Sequence, residues 1–118
     1  MLTASIFSGM YTYRAHVKSV YDGDTITVDI DCGFSICLAN QKIRLLGINT
    51  PEVRGEERER GLVSRDRLRE RIEGKWVTLK TEKDGKGKFG RWLGTIWLDD
   101  ENINEWLLAE GLAGVYDK

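Results

Sequence analysis

Proline and histidine each occur once in this 118-residue chain, and cysteine only twice. Two cysteines cannot build the dense disulfide framework that replaces a core in small secreted domains. With one histidine, His16, they also fall short of a plausible set of zinc ligands. No run approaches the ~18 apolar residues of a membrane span. Neither sign of charge is in excess: 18 Lys and Arg stand against 19 Asp and Glu, a net charge of -1. That balance argues against a passive nucleic-acid coat, which normally carries a clear basic excess. It leaves room for an enzyme whose basic groups are concentrated in one cleft. The opening Met1 to Gly9 lacks the basic start and apolar length of a signal peptide. We expect residues 1-9 to be a flexible extension before one domain at 10-118, with Met10 an alternative start and the cytoplasm the default location.

What is present is enough apolar material for one core: 41% hydrophobic residues, four Trp among them. Tyr11 to Tyr21 reads as a strand and Asp22-Gly23 as a turn. Thr25 to Asp31 alternates polar and apolar side chains, as a half-buried strand does. Cys32 and Cys37 flank a second turn, as two thiols or as a cross-strand disulfide. A further strand runs through Lys42 to Ile48, completing a three-stranded meander. Residues 54-73 predict a charged helix with a stripe of Leu62, Leu68 and Ile72 and a Glu56–Arg60 pair in the favourable order. Arg65 and Arg69 fall close to that stripe, and Gly74 is a natural stop. Strands at Trp76 to Thr81 and Trp92 to Leu98 follow, joined by a glycine-lysine loop. A last helix begins at Asn102, whose side chain can cap it with Glu105 reaching back, and ends at Gly111. Leu112 to Tyr116 adds a little extended structure. Three strands, a helix, two strands and a helix fit a β-barrel with helices, a five-stranded barrel of the OB type, better than a sandwich. His16 is most simply a strand residue, since Arg14, Ala15, Val17 and Lys18 offer it no catalytic partner.

Four groups of residues could carry chemistry. Asp22-Gly23-Asp24-Thr25 puts two carboxylates on a turn, which is either a solvated hairpin or part of a cation site. A hard cation such as calcium needs several oxygen ligands, so a second oxygen-rich loop must lie beside such a turn. Asn49-Thr50-Pro51-Glu52 is the candidate, offering an amide oxygen, a backbone carbonyl and a carboxylate. It also reads as a helix entry, with Pro near the first turn and Glu favoured by the dipole. Arg44 either faces solvent on the outer side of its strand or, with Arg91, supplies two guanidinium groups for a phosphodiester and its transition state. The glycine-lysine loop is no nucleotide P-loop, because it lacks a Gly-Lys-Ser/Thr ending and leads into a strand. Lys83, Lys86 and Lys88 are solvated hairpin residues first, with a weaker role on a nucleic-acid backbone.

Taken in order, Asp22 to Thr25, Arg44 to Glu52, Phe89-Gly90-Arg91, Asn104-Glu105 and Gly111-Leu112-Ala113 resemble the staphylococcal nuclease (thermonuclease) family. The resemblance implies an OB-type barrel and calcium-dependent hydrolysis of DNA or RNA; we expect a monomer with a nucleic-acid substrate and no membrane partner. On it, Asp24 is a calcium ligand, the Thr50 carbonyl a second, and Asn49 stands where the family has another acidic ligand. Asp22 supports the metal site from close by. Arg44 and Arg91 bind the scissile phosphate, and Glu52 activates water. Three departures accompany it: Asn49 replaces an acid, Gly87 stands where an Asp is usual, and the chain stops soon after Tyr116, without the long final helix and late tyrosines. Weaker calcium binding is expected from the lost charge. The alternative is a non-catalytic OB module that binds single-stranded nucleic acid. Substrate sugar, strandedness and endonuclease against exonuclease action stay open.

Overall fold

The computed structural model describes residues 10–83 and 92–115. β1 (Met10–Asp22), β2 (Thr25–Asp31) and β3 (Cys37–Leu45) form the expected antiparallel meander. A short β4 (Ile48–Asn49) leads to a 3-10 turn at Gly55–Glu57 and to α1 (Arg58–Ile72). β5 (Trp76–Lys83), β6 (Trp92–Leu98), β7 (Glu101–Asn102), α2 (Ile103–Ala109) and β8 (Gly114–Val115) complete the order. The sheet runs β3-β2-β1-β5-β6 and closes on itself, because β3 also pairs in parallel with β6 through Ile43↔Trp92 and Leu45↔Gly94. That closure makes a five-stranded barrel rather than a sandwich.

Alternation along the strands sorts the side chains. On β2, Ile26, Val28 and Ile30 face the core while Thr25, Thr27 and Asp29 are partly exposed. Ile43, Leu79 and Ile96 join them from three other strands, each 0% exposed. Leu68 and Ile72 of α1 and Ile103 and Leu107 of α2 belong to the same cluster and are equally buried. Burying such a side chain fully is worth about 1.5–3 kcal/mol. Four of them are enough to hold two otherwise polar helices on the barrel.

α1 departs from expectation in start and face. Regular helix begins at Arg58, after Gly55 at φ +74° and the 3-10 turn, and not at residue 54. Its buried face is Gly61, Ser64, Leu68 and Ile72, while Leu62 is only half-buried. Small residues replace the leucine because the first half of the helix lies against backbone: the Ser64 hydroxyl donates to the Leu112 carbonyl at 2.6 Å. In place of the expected Glu56–Arg60 pair, Arg60 meets Glu57, three residues before it, at 3.6 Å. At the other end Gly74, at φ +80°, follows the helix as expected.

The remaining elements match their sequence signals. Asn102 Oδ1 caps α2 by accepting the Glu105 N–H at 3.0 Å. β8 pairs with β4, Asn49 opposite Gly114, so the chain after α2 returns to brace the Asn49 loop. Cys32 and Cys37 are free thiols. His16 lies on β1, its Nε2 3.1 Å from the Gly74 carbonyl and its ring edge-on to Trp76 at 5.2 Å. No helix among the described residues is long and apolar enough to cross a membrane.

Candidate active site

Register builds the centre of the site. Asp22 stands opposite Thr25 across β1 and β2, and Thr25 opposite Arg44 across β2 and β3. The acidic turn between β1 and β2 is not the solvated hairpin that its sequence allows, because Asp24 is only 7% exposed. Its Oδ2 accepts the Thr50 N–H at 3.1 Å and lies 3.0 Å from Arg44 Nη1, while Oδ1 accepts the Thr25 hydroxyl at 3.2 Å. The turn lies this close to Thr50 because its middle residue has no side chain. A Cβ on Gly23 would sit 2.7 Å from Thr50 Cγ2.

Two carboxylates so close do not titrate alike. Asp22 is pushed up to about 7 by burial first, then by its hydrogen bond with Asp24 and by the Asp24 charge. The Asp24 N–H, which donates to Asp22 Oδ1 at 3.1 Å, works in the opposite direction without prevailing. Burial would raise Asp24 too. The hydrogen bonds from Asp22 and the Thr50 N–H, the Arg44 charge and the Thr25 hydroxyl outweigh it and hold Asp24 below the usual carboxylate range. The turn therefore holds one firmly ionised carboxylate, Asp24, paired with Arg44, and a second, Asp22, that keeps its proton toward neutrality.

Arg44 does not point into open solvent. Its side chain is 14% exposed. Besides Asp24, its Nη2 donates to the Ile48 carbonyl at 3.2 Å and to Asn49 Oδ1 at 3.4 Å. The Asn49-Thr50-Pro51-Glu52 stretch is likewise not a helix entry, because Glu52 precedes the 3-10 turn and lies in an irregular segment. Glu52 is exposed, and its N–H donates to Glu57 Oε1 at 3.0 Å.

A cleft of about 860 Å3 gathers these groups: Asp22, Asp24, Arg44, Asn49 and Glu52 all line it, and Thr50 bonds to Asp24 beside it. Arg91, with Phe89 and Gly90, lies outside the described residues. Arg65 and Arg69 line the cleft as well, which is why they fall near the apolar stripe of α1 in sequence. Arg69 reaches the Val20 carbonyl at 2.9 Å.

Sequence reading passed over three further contributors. Gly61 abuts the Glu52 carbonyl, Glu57 holds the Glu52 N–H, and Lys42 lines the cleft two residues before Arg44. A glycine inside a helical pattern was the available signal for the first, and same-face spacing along a strand for the last. Asn104, noticed only as part of a matching fragment, is 5% exposed and ties three segments together. It accepts the Ile96 N–H at 3.1 Å and donates to the Leu46 and Gly94 carbonyls at 3.0 and 3.1 Å.

This barrel and cleft have relatives. Residues 42–118 match the family described as staphylococcal nuclease homologue, and the chain belongs to that family. It is 34% identical to a thermonuclease of Staphylococcus intermedius, over 82% of this chain and 56% of that protein. With a thermonuclease of Staphylococcus hyicus the identity is 35%, over 86% of this chain and 57% of the relative. An uncharacterized protein of Methanocaldococcus jannaschii is 28% identical over 88% of this chain and 59% of its own length. The chain thus spans just over half the length of the curated relatives it matches.

Proposed function

We propose that the protein is a nuclease that hydrolyses phosphodiester bonds of DNA, RNA or both. The observation that carries this reading is the convergence of Asp24, Arg44 and Glu52 on one cleft. Arg44 is held by Asp24 at 3.0 Å and by Asn49 at 3.4 Å, so its guanidinium needs little reorganisation to meet phosphate oxygens. Glu52, exposed on the same cleft, would take the proton of the attacking water. The water oxygen bonds to phosphorus, the P–O ester bond breaks, and the departing oxygen takes a proton from solvent. Arg91, from the sequence pattern, would bring a second guanidinium to the phosphate.

We infer calcium as the cofactor, because the groups around the acidic turn are hard oxygen donors. Asp24 and the Thr50 carbonyl would hold the ion, with Asp22 and the Asn49 amide oxygen beside them. Asp22, raised to about 7 by burial first and by its contacts with Asp24, would give up its proton more readily beside a divalent cation. The buried Thr50 Oγ1 has no hydrogen-bond partner among the described residues, so the site has polar capacity to spare. Bound calcium would neutralise phosphate charge and orient water. Among the described residues no three Asp, Glu, His or Cys side chains converge, and Asn49 leaves the set a charge short. Affinity is therefore expected to be weak.

The test is cleavage of single- and double-stranded DNA and of RNA, in calcium and in chelator, by the wild type, Glu52→Gln and Arg91→Ala. Calcium-dependent cleavage that falls by at least about a hundredfold in Glu52→Gln supports the reading. No cleavage above that of the variants overturns it. Binding without cleavage would assign the chain to the non-catalytic OB modules.

A further inference from the structure

The row of side chains next to the acidic one suggests how a polynucleotide lies in the cleft. Ser19 stands opposite Thr27, and Thr27 opposite Lys42. All three line the cleft, as do Asp22, Thr25 and Arg44 of the first row. Lys42 and Arg44 are two residues apart on β3 and share a face, about 7 Å from each other along the strand. That is one nucleotide step. Lys42 is exposed, and its ammonium makes no hydrogen bond or ion pair among the described residues. The neighbouring cations are engaged: Arg65 by Asp66 at 2.9 Å, Arg69 by the Val20 carbonyl at 2.9 Å, and Lys18 by Asn40 at 3.0 Å. Tyr21, 58% exposed on the same rim, has no ring partner among the described residues.

We propose that Ser19, Thr27 and Lys42 form a second phosphate subsite, with Tyr21 stacking the base of the nucleotide next to the cleaved bond. The inference rests on the nuclease reading and narrows it: the ligand is a strand with at least two consecutive phosphates, not an isolated phosphodiester. Lys42 meets the flanking phosphate as a point charge. The two hydroxyls are free to donate to its oxygens, and the tyrosine ring stacks any base without selecting one.

Binding is measured by fluorescence anisotropy in calcium with Glu52→Gln, which bars turnover. The probes are a labelled dinucleoside monophosphate and the same dinucleotide carrying an added 5′- or 3′-phosphate. One of the added phosphates is expected to tighten binding about fivefold and to steepen the salt dependence by roughly 0.7. That increment is expected to vanish when Lys42→Gln is added and to persist with Lys75→Gln, which removes an exposed lysine outside the cleft. Tyr21→Ala should weaken binding to a trinucleotide severalfold, with Tyr21→Phe restoring it. An increment that is absent, or that survives Lys42→Gln, overturns the subsite. Failure of the wild type to cleave any substrate overturns the nuclease reading instead, so the two failures are distinct.

Discussion

Gly61, in the first half of α1, lies so close to Glu52 that a Cβ on it would sit 2.0 Å from the Glu52 carbonyl oxygen and 2.8 Å from that of Pro51. Both obstacles are backbone, so neither can swing aside. The helix is thereby pressed against the loop that presents the candidate base, and Glu57 grips the same loop through the Glu52 N–H.

Gly61→Ala should therefore reduce cleavage as well as stability. Helix propensity favours the change by roughly 1 kcal/mol, but overpacking against a fixed backbone costs about 1–3 kcal/mol. We expect a lower urea midpoint and a turnover loss larger than that of Leu62→Ala, on the half-buried flank of the same helix. Unchanged midpoint and turnover would show that helix and loop part freely.

Asp22 makes stability depend on pH. Its folded value of about 7 lies above its ordinary 3.8, so between those values the folded protein holds the proton more tightly than the unfolded chain. The contribution is complete below pH 3.8 and is lost as pH rises through about 7. Asp24, held low, acts in the opposite sense only at more acid pH. In chelator, wild-type stability to urea should decline from pH 5 to 8 more steeply than that of Asp22→Asn. Parallel curves would contradict this.

Asn49→Asp should tighten calcium binding. The new carboxylate would stand where Oδ1 now accepts from Arg44 at 3.4 Å, beside the cleft that Asp22 and Asp24 line. An added charge should strengthen calcium affinity by roughly tenfold in a calorimetric titration. An unaltered affinity would remove Asn49 from the neighbourhood of the ion.

Asn104→Leu should be among the more damaging core substitutions. It deletes three hydrogen bonds and covers the Ile96 N–H and the Leu46 and Gly94 carbonyls with an apolar group. Burying polar groups without partners costs about 1–3 kcal/mol each, although Gly94 keeps the Leu46 N–H at 2.8 Å. We expect a loss of about 2–4 kcal/mol in urea unfolding; a loss below about 1 kcal/mol would contradict the clamp.

The strands were readable because alternation is a local property. Ile26, Val28 and Ile30 announce an inward face within one short segment, and Asn102 announces a helix start within three residues. The face of α1 was not readable from apolar spacing. Gly61 and Ser64 are buried by what lies opposite them, the Glu52 and Leu112 backbones, and those partners are remote in sequence. Arg65 and Arg69 obscured the stripe because the cleft draws them toward it.

The acidic turn marks the same division. Its sequence determined that two carboxylates would stand together on a glycine-bent backbone, and order along the chain linked it with Arg44 and with Asn49 to Glu52 in one family pattern. Whether those carboxylates were solvated or buried was decided by tertiary structure alone. The β2–β3 pairing sets Arg44 opposite Thr25, and the bare Gly23 lets the remote Thr50 approach, so that Asp24 is desolvated and paired while Asp22 keeps its proton toward neutrality. Charge and hydrogen bonding act through space. A chain can state which groups it carries, but only the fold sets the distances at which they meet.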